Sequence, residues 1–355
     1  MNSMIKTRKV WSFTILRTVF AVACFGGLVA VAATVRADIV YATNFNNNTV
    51  EKFDSGGVGS LFANLGLSSP TGIAFDSTGN LYVANAGNNT IVKYTPGGVG
   101  SVFANTGLGH PESLAFDGAG NLYAANSQSQ NNTIEKFTPG GVGSVFTNFG
   151  LNGPRSLAFD SAGNLFVANI TSNTILRFTP GGAGFLFANT GLNGPNGIAF
   201  DRAGNLFVAN ELGNTIEKFT SGGVGSLFAN TGLNGPIGLA FDSAGSLYAA
   251  NRGNNTIEKF TPGGVGSVFA SIGLNNPIEL AFTNDAGVPL SLPVPEPSTL
   301  ALLGSGLMCL GFCVGRRRLT ERFAATQQAP SGSWSGGAFY PQLSRLAESF
   351  AKAVS

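Results

Sequence analysis

The sequence predicts an all-β protein, a six-bladed β-propeller built of four-stranded antiparallel blades. The first observation is composition: 50 Gly and 29 Phe with only 11% charged residues, which is typical of many short strands joined by tight turns. The second is a unit of 41 residues that recurs along the chain, with four short strand candidates in each unit. Four antiparallel strands in a unit of this size match a propeller blade.

A proline opens each unit, at successive spacings of 41, 43, 41, 41 and 41 residues: Pro70, Pro111, Pro154, Pro195, Pro236 and Pro277. The two extra residues of the second unit fall in the polar stretch NSQSQNNT, which we interpret as a loop. In the unit that Pro195 opens, turn residues separate the strand candidates GIAFD, NLFVAN, TIEKFT and GSLFAN.

Counting strands predicts how the ring closes. Five complete units run from Pro70 to the residue before Pro277. The sequence before Pro70 supplies only the last three strands of a unit, and the missing first strand occurs at the other end as IELAF, residues 278–282. We therefore expect the C-terminal strand to complete the first blade. Closure removes the exposed sheet edges that invite aggregation.

The repeated pattern P-x-G-I-A-F-D-x-x-G-N-L-Y-V-A-N-x-x-N-N-T-I resembles the NHL repeat, over residues 38–284. This resemblance implies a six-bladed propeller. It leaves function open, because NHL-type relatives include interaction scaffolds, gluconolactonase-like hydrolases and streptogramin lyase-like enzymes. The chain departs from many NHL repeats in having Asn in place of Asp at five positions: Asn85, Asn126, Asn169, Asn210 and Asn251.

An Asp followed by x-x-Gly occurs in five units, at Asp76, Asp117, Asp160, Asp201 and Asp242. Its carboxylate can accept hydrogen bonds from turn amides while Gly takes a positive φ, so we interpret the pattern as a β-turn. The alternative, a calcium loop, requires D-x-[DN]-x-[DN]-G, which is not met. The Asn that ends each second strand is expected to order the loop into the next strand.

Residues that differ between matching units predict where a ligand would bind. Loops that enter the first strand and loops that follow the second lie on one face of a propeller, around its central funnel. At these positions we predict a polar mouth of six residues: Glu112, Arg155, Asn196, Glu211, Arg252 and Glu279. The alternative is simple drift on solvated loops.

The sequence predicts no catalytic residue, no metal site and no cofactor. An enzyme remains the alternative: a lactonase-like site would take Glu112, Asn196 and Glu279 as the best available metal ligands, and a lyase-like site would need His110, the one histidine, as its base. Nucleic acid is not an expected partner. Residues 38–290 hold nine Lys and Arg against fifteen Asp and Glu, the wrong sign for such binding.

Both ends of the chain differ from the repeats. Residues 1–37 combine a basic start, an apolar run and Val-Arg-Ala, which predicts a signal peptide cleaved near Asp38. The alternative is an uncleaved membrane anchor. Residues 291–318 contain a short apolar transmembrane helix, 299–315, followed by three arginines, a stop-transfer pattern. A tail rich in Ala, Ser and Gln, residues 319–355, is expected to be disordered.

The C-terminal pattern resembles the PEP-CTERM sorting signal at the Pro-Glu-Pro triplet and the basic cluster: Pro295, Glu296, Pro297, Arg316, Arg317 and Arg318. In that family a membrane protease, exosortase, is believed to cut near the triplet. The resemblance implies an exported protein that is anchored in the inner membrane before cleavage, and is then released to the cell surface or the extracellular matrix. The chain departs from the family pattern in continuing for 37 residues after the arginines.

Together these features predict an exported binding or structural propeller without catalytic activity. Its expected partners are an exosortase-type protease and either extracellular polysaccharide or a surface protein. Asn-rich loops and an acidic balance suit the hydroxyl groups of sugars. The competing function is the metal-dependent lactonase-like hydrolase, or the lyase-like enzyme, described above.

Overall fold

A computed structural model describes residues 38–128, 132–284 and 287–290. These residues form six four-stranded sheets in which sequential strands pair antiparallel, as the repeat predicts. Every peptide bond within these described residues is trans. We call the sheets blades A to F in chain order.

The strand bounds are as follows. Blade A contains β24 (Pro277–Asn284), β1 (Asp38–Asn44), β2 (Thr49–Phe53) and β3 (Gly59–Ala63); blade B contains β4 (Pro70–Phe75), β5 (Leu81–Asn85), β6 (Thr90–Tyr94) and β7 (Gly100–Ala104); blade C contains β8 (Pro111–Phe116), β9 (Leu122–Asn126), β10 (Thr133–Phe137) and β11 (Gly143–Thr147). Blade D contains β12 (Pro154–Phe159), β13 (Leu165–Asn169), β14 (Thr174–Phe178) and β15 (Gly184–Ala188); blade E contains β16 (Pro195–Phe200), β17 (Leu206–Asn210), β18 (Thr215–Phe219) and β19 (Gly225–Ala229); blade F contains β20 (Pro236–Phe241), β21 (Leu247–Asn251), β22 (Thr256–Phe260) and β23 (Gly266–Ala270).

The C-terminal strand closes the ring, as predicted. β24 pairs antiparallel with β1 in a register that runs from Asp38 opposite Asn284 to Asn44 opposite Pro277, with an irregularity between Ala42 and Asn44. The first strand of each blade, which we call its inner strand, contacts the inner strands of both neighbouring blades, and β24 contacts β20 and β4 in this way. The first and last residues of the propeller strands, 38 and 284, therefore meet within one sheet.

The hydrophobic core is divided into six clusters, one between each pair of adjacent blades. The cluster that joins blades A and F packs Phe53 and Phe282 against Tyr248 and Ile257. Since each blade buries both of its faces, a fragment lacking β24 would leave one face of two blades uncovered. The ring is closed by side-chain packing as well as by backbone pairing.

An aromatic contact repeats at every interface and accounts for the high Phe content. In blade B, Tyr82 meets Phe103 of its own blade at 4.9 Å and Phe116 of the next inner strand at 5.0 Å, both edge to face. Such pairs contribute about 0.5–1.5 kcal/mol beyond the area that they bury. The equivalent rings of the other blades make the same two contacts.

The repeated Asp forms a turn, as interpreted from the sequence. Asp76 Oδ1 accepts the N–H groups of Thr78 at 3.0 Å and Asn80 at 2.9 Å, and Gly79 has a φ of 86°. Burial alone would raise the pKa of Asp76, but hydrogen bonds from Asn80 and Thr78 outweigh it and lower that pKa below its usual value. These carboxylates stabilise a hairpin in blades B to F and accept hydrogen bonds from the turn amides.

The repeated Asn does more than the sequence interpretation assigned to it. Asn85 donates to Thr90 Oγ1 at the start of the next strand, at 3.0 Å, as expected. It also donates to Gly66 O at 2.9 Å and accepts the N–H of Ser68 at 3.1 Å, both in the loop that enters the inner strand. The side chain therefore holds two loops together on the same face of the propeller.

The predicted signal peptide, sorting region, helix 299–315 and C-terminal tail lie outside the described residues. Within 38–128, 132–284 and 287–290, the chain has no helix with the length and apolar character that a bilayer span requires.

Candidate functional site

Backbone hydrogen bonds bring the predicted mouth loops together. The residue that follows each second strand donates its N–H to the residue that precedes the inner strand of the same blade. In blade E this is Glu211 to Gly194 O at 2.9 Å, and in blade F Arg252 to Gly235 O at 3.1 Å. Blades A to D make the equivalent bond. The two sets of variable positions are thus adjacent in every blade.

The mouth is a cavity of about 200 Å³ on the propeller axis. All six residues predicted for it border this cavity: Glu112, Arg155, Asn196, Glu211, Arg252 and Glu279. The second residue of each inner strand contributes to the wall, so that Thr71, Ile237 and Ile278 complete it beside the charged groups. The register of the repeat therefore located these side chains correctly in space, and their role in binding stays a prediction.

Blades C and D are joined at the mouth by Glu112. Its carboxylate is buried, with 7% of its surface exposed, and it accepts from the Arg155 guanidinium and lies 3.0 Å from His110 Nδ1. The hydrogen bond to Glu112 is the main reason why the pKa of His110 is raised above its ordinary value. His110 has a left-handed φ of 50°, and Asn89 Oδ1 holds its N–H at 2.7 Å.

Blades E and F are joined by Glu211. Its Oε2 accepts from Asn196 Nδ2 at 2.9 Å, and its Oε1 lies 3.3 Å from Arg252 Nη1. Glu112 and Glu211 are therefore each paired with an arginine of the following blade. Their charges compensate, and the rim offers hydrogen-bonding groups without a strong net charge.

Glu279 differs from the other acids of the mouth. It is the third residue of its inner strand, where the other blades have Gly or Ser: Gly72, Ser113, Ser156, Gly197 and Gly238. Its Oε1 accepts the N–H of Leu280 at 3.3 Å, and no Lys or Arg of the described residues pairs with it. Burial raises the pKa of Glu279 to about 8, because desolvation disfavours the charged form.

A groove of about 490 Å³ adjoins the mouth and shares Glu211, Arg252 and Asn276 with it. Six asparagines line the groove: Asn46, Asn214, Asn234, Asn255, Asn275 and Asn276. Asn214 and Asn255 each use the side-chain carbonyl to accept a loop N–H, at 2.7 and 2.6 Å. Their NH₂ groups remain as donors. The mouth and groove together form a continuous polar surface over blades E, F and A.

The sequence prediction missed Phe45 and Asn276, which also border the mouth cavity. Phe45 follows Asn44 as Glu211 follows Asn210 and Arg252 follows Asn251, so alignment of the split first blade with the others would have identified it. Asn276 precedes the proline of β24 with a φ of 55°. Its Oδ1 is buried without a hydrogen-bond partner among the described residues, as is Arg155 Nε. Two enclosed polar atoms beside the mouth are thus unsatisfied within this part of the chain.

The residues weighed as metal ligands do not fit a divalent ion. Glu112 is already paired with Arg155 and His110, Asn196 donates to Glu211, and the raised pKa of Glu279 keeps its carboxyl largely protonated at neutral pH. Within the described ranges, no three His, Cys, Asp or Glu side chains lie close enough together to bind a metal. Hard cations prefer several converging, ionised oxygens.

Comparison with known proteins supports the fold and the sorting motif. A model of the NHL repeat matches residues 67–94, and the PEP-CTERM protein-sorting motif matches residues 293–318. No curated protein matches the chain by sequence. The motif implies export, membrane anchoring through the C-terminus before cleavage, and processing by an exosortase.

Solved structures with the same fold have varied activities. A chain of the nidogen/laminin complex is 19% identical, with 69% of this chain and 98% of that chain covered and a TM-score of 0.62. Virginiamycin B lyase from Staphylococcus aureus is 18% identical over 71% and 89%, with a TM-score of 0.56, and a gluconolactonase from Xanthomonas campestris is 17% identical over 61% and 84%, with a TM-score of 0.52. Identities this low support the fold alone. The chain is a six-bladed β-propeller that carries an NHL repeat and a PEP-CTERM protein-sorting motif.

Proposed function

We propose that the propeller is a non-catalytic carbohydrate-binding module, which acts at the cell surface or in an extracellular polysaccharide matrix. The observation that carries this proposal is the continuous mouth and groove, with its row of asparagines. Amide groups both donate and accept hydrogen bonds, as sugar hydroxyl groups do. Each hydroxyl can therefore be matched in either direction.

The shape and the charge of this surface favour one kind of ligand. The mouth, at about 200 Å³, is smaller than the roughly 300–1,000 Å³ of pockets for drug-sized molecules, and so it suits a single sugar unit. The groove gives room for the units that follow. Because Glu112 and Glu211 are paired with arginines, the surface favours a neutral ligand over a strongly charged one. Phe45, Ile237 and Ile278 offer apolar contacts for a sugar ring.

Arg252 and Arg202 make a matched pair for testing the proposal. Arg252 lies where the mouth meets the groove, whereas Arg202 lies on a hairpin turn between the first two strands of blade E, outside both. Affinity electrophoresis of the full-length chain through gels that contain exopolysaccharide of the producing cells would measure binding. Arg252→Ala removes a charged hydrogen-bond donor worth about 1.5–3 kcal/mol. We expect affinity to fall by about 10- to 100-fold.

Arg202→Ala should retain the retardation of the unchanged chain. If both variants are retarded equally, the mouth is not the binding surface. If the unchanged chain shows no retardation in exopolysaccharide gels and no binding to a panel of neutral glycans, the carbohydrate proposal fails.

An enzyme is the second candidate, and the observation that favours it is the His110–Glu112 pair on the wall of the mouth. A histidine oriented by a carboxylate is a common general base. Turnover of a lactone or a cyclic depsipeptide that is lost in His110→Ala, with binding retained, would support this candidate. Stoichiometric tight binding of calcium or zinc, lost in Glu112→Ala or Glu279→Ala, would support the metal-dependent form.

We also propose that exosortase cleavage near residues 295–297 releases the propeller from the membrane. The match to the sorting motif at residues 293–318 supports this. Replacing Pro295, Glu296 and Pro297 together by Ala should leave the chain in the membrane fraction of cells that have exosortase. Equal release of the variant and the unchanged chain would contradict this route, as would retention of both.

A further inference from the structure

The propeller has a second, larger cavity at the opposite end of its axis. This far cavity has a volume of about 1330 Å³. Its rim is formed by hairpin turns between first and second strands, including those at Asp76, Asp117, Asp201 and Asp242, and by residues 288–290. Glu279 alone, among the described residues that border the two, lines both the far cavity and the mouth cavity.

Below its rim, the wall of the far cavity is mainly apolar, and all six inner strands contribute to it. Each inner strand contributes an aliphatic residue at its fourth position: Ile73, Leu114, Leu157, Ile198, Leu239 and Leu280. Each also contributes a phenylalanine two residues later, of which Phe116 and Phe282 are examples. An open, apolar concavity of this size binds apolar molecules well, because binding removes its surface from water.

The charged groups of the far cavity are satisfied, with one exception. Each of the four rim aspartates that border it has a lysine of the third strand within 3.6 Å of its Oδ2. Lys93 is thereby engaged, and Arg202 donates to Ser243 O at 2.7 Å. Glu279, at the inner end, is the bordering acid without a cationic partner in the described part of the chain.

The inner strand next to β24 lies close to the backbone at Glu279. The neighbouring inner strand has Gly238 opposite it, where an added Cβ would lie 2.8 Å from Glu279 Oε1 and 2.7 Å from its Cα. The atom nearest to that Cβ is the backbone oxygen of Ile278, so any larger residue at 238 would collide with the backbone of β24 as well as with the carboxyl. A half-buried carboxyl without a cationic partner is costly to ionise, and five blades have Gly or Ser at this position.

We propose that the far cavity binds an amphiphilic amine, a molecule with an apolar body and one protonated amino group that pairs with Glu279. The apolar wall takes the body, and the cation reaches the one acid at the inner end that lacks a partner. The ligand supplies the countercharge that the described residues do not provide. The apolar part of this site lies away from the carbohydrate surface of the mouth, and Glu279 is the one described residue that borders both cavities.

The other charged groups near β24 are not placed to pair with the cation of the ligand. β1 carries Asp38, which accepts the N–H of Ser243 at 2.7 Å, and the packed strands β4, β20 and β21 carry no Asp, Glu, Lys, Arg or His. On the mouth side, Glu112 and Glu211 are paired with arginines. A cation that enters from the far cavity therefore meets one unpaired carboxyl.

The probe for the test is n-octylammonium, with n-octanol and octanoate as matched ligands that lack the positive charge. Calorimetry on the full-length chain at pH 8 should show saturable 1:1 binding of octylammonium, at least tenfold tighter than either matched ligand. Glu279→Gln should weaken octylammonium at least tenfold and leave octanol unchanged. Glu217→Gln, an equivalent change on β18 outside both cavities, should stay within twofold.

Thermal unfolding of each variant shows whether the protein is folded when binding is measured. Equal affinity for octylammonium and octanol would overturn the proposal, because the carboxyl would then play no part. Unchanged affinity in Glu279→Gln would overturn it as well. Absence of saturable octylammonium binding to the unchanged chain would show that the far cavity is not such a site.

Discussion

Glu279→Gln is expected to stabilise the propeller increasingly as the pH rises. The folded state raises the pKa of Glu279 from an ordinary value of 4.5 to about 8. Between these two values the unfolded chain has released the carboxyl proton and the folded chain has kept it. The unfolded state then binds fewer protons, so the free energy of unfolding falls as the pH rises. Glutamine resembles the protonated carboxyl and does not titrate.

The magnitude follows from the two pKa values. Each pH unit between them costs about 1.4 kcal/mol, so the unchanged protein loses at most about 3 kcal/mol by pH 7 and about 5 kcal/mol by pH 9, relative to pH 4. Below pH 4.5 both states hold the proton and the penalty is absent. The difference in free energy of unfolding between Glu279→Gln and the unchanged protein should therefore be near zero at pH 4. It should grow through neutral pH and level off above pH 8.

Urea denaturation of both proteins at several pH values, followed by circular dichroism, measures this difference directly. All other groups titrate in both proteins, so subtracting one curve from the other isolates Glu279. Parallel stability curves between pH 4 and 9 would refute the reasoning, since they would mean that the carboxyl ionises as easily in the fold as in water. A Glu279→Gln variant that is less stable at pH 9 would indicate a partner for the ionised carboxyl.

Three further predictions concern other parts of the fold. Deleting residues 278–284 should abolish the cooperative unfolding transition, because β24 supplies the inner strand of blade A; an unchanged melting curve would disprove ring closure. Asp201→Ala should cost about 1–3 kcal/mol in urea denaturation, since Asp201 Oδ1 accepts N–H groups at 2.9 and 2.8 Å, whereas Arg202→Ala in the same turn should change stability by less than about 0.5 kcal/mol. Glu112→Gln should lower the pKa of His110, which proton NMR can follow because the chain has one histidine; an unchanged pKa would exclude Glu112 as its cause.

Much of the fold was predictable because the repeat makes position within a unit equivalent to position in space. The spacing of the prolines predicted the blades, and the split unit at the two ends predicted that β24 joins β1. The same equivalence placed Glu112, Arg155 and Glu211 at one mouth although they are distant in sequence. Register in a closed ring therefore carries information about tertiary structure.

The interactions of these side chains were not predictable in the same way. Whether Glu112 contacts Arg155, His110 or water depends on side-chain conformations and on the offset between two blades, neither of which is encoded in spacing. The far cavity was also missed. Its wall consists of the apolar residues of the inner strands, and a periodic pattern does not distinguish residues that border an axial cavity from residues that are fully enclosed between blades.

Residues that occur once in this nearly sixfold chain are the best indicators of function. A side chain that the architecture requires, such as the turn aspartate or the second-strand asparagine, recurs from blade to blade. Glu279 does not recur, and it lacks a cationic partner among the described residues. The desolvation of its carboxyl opposes folding at neutral pH, and so stability does not account for its presence. An acid that weakens the free protein and is compensated when a cation binds would be retained for binding, and the two measurements on Glu279→Gln, higher stability with weaker octylammonium binding, test both halves of that argument.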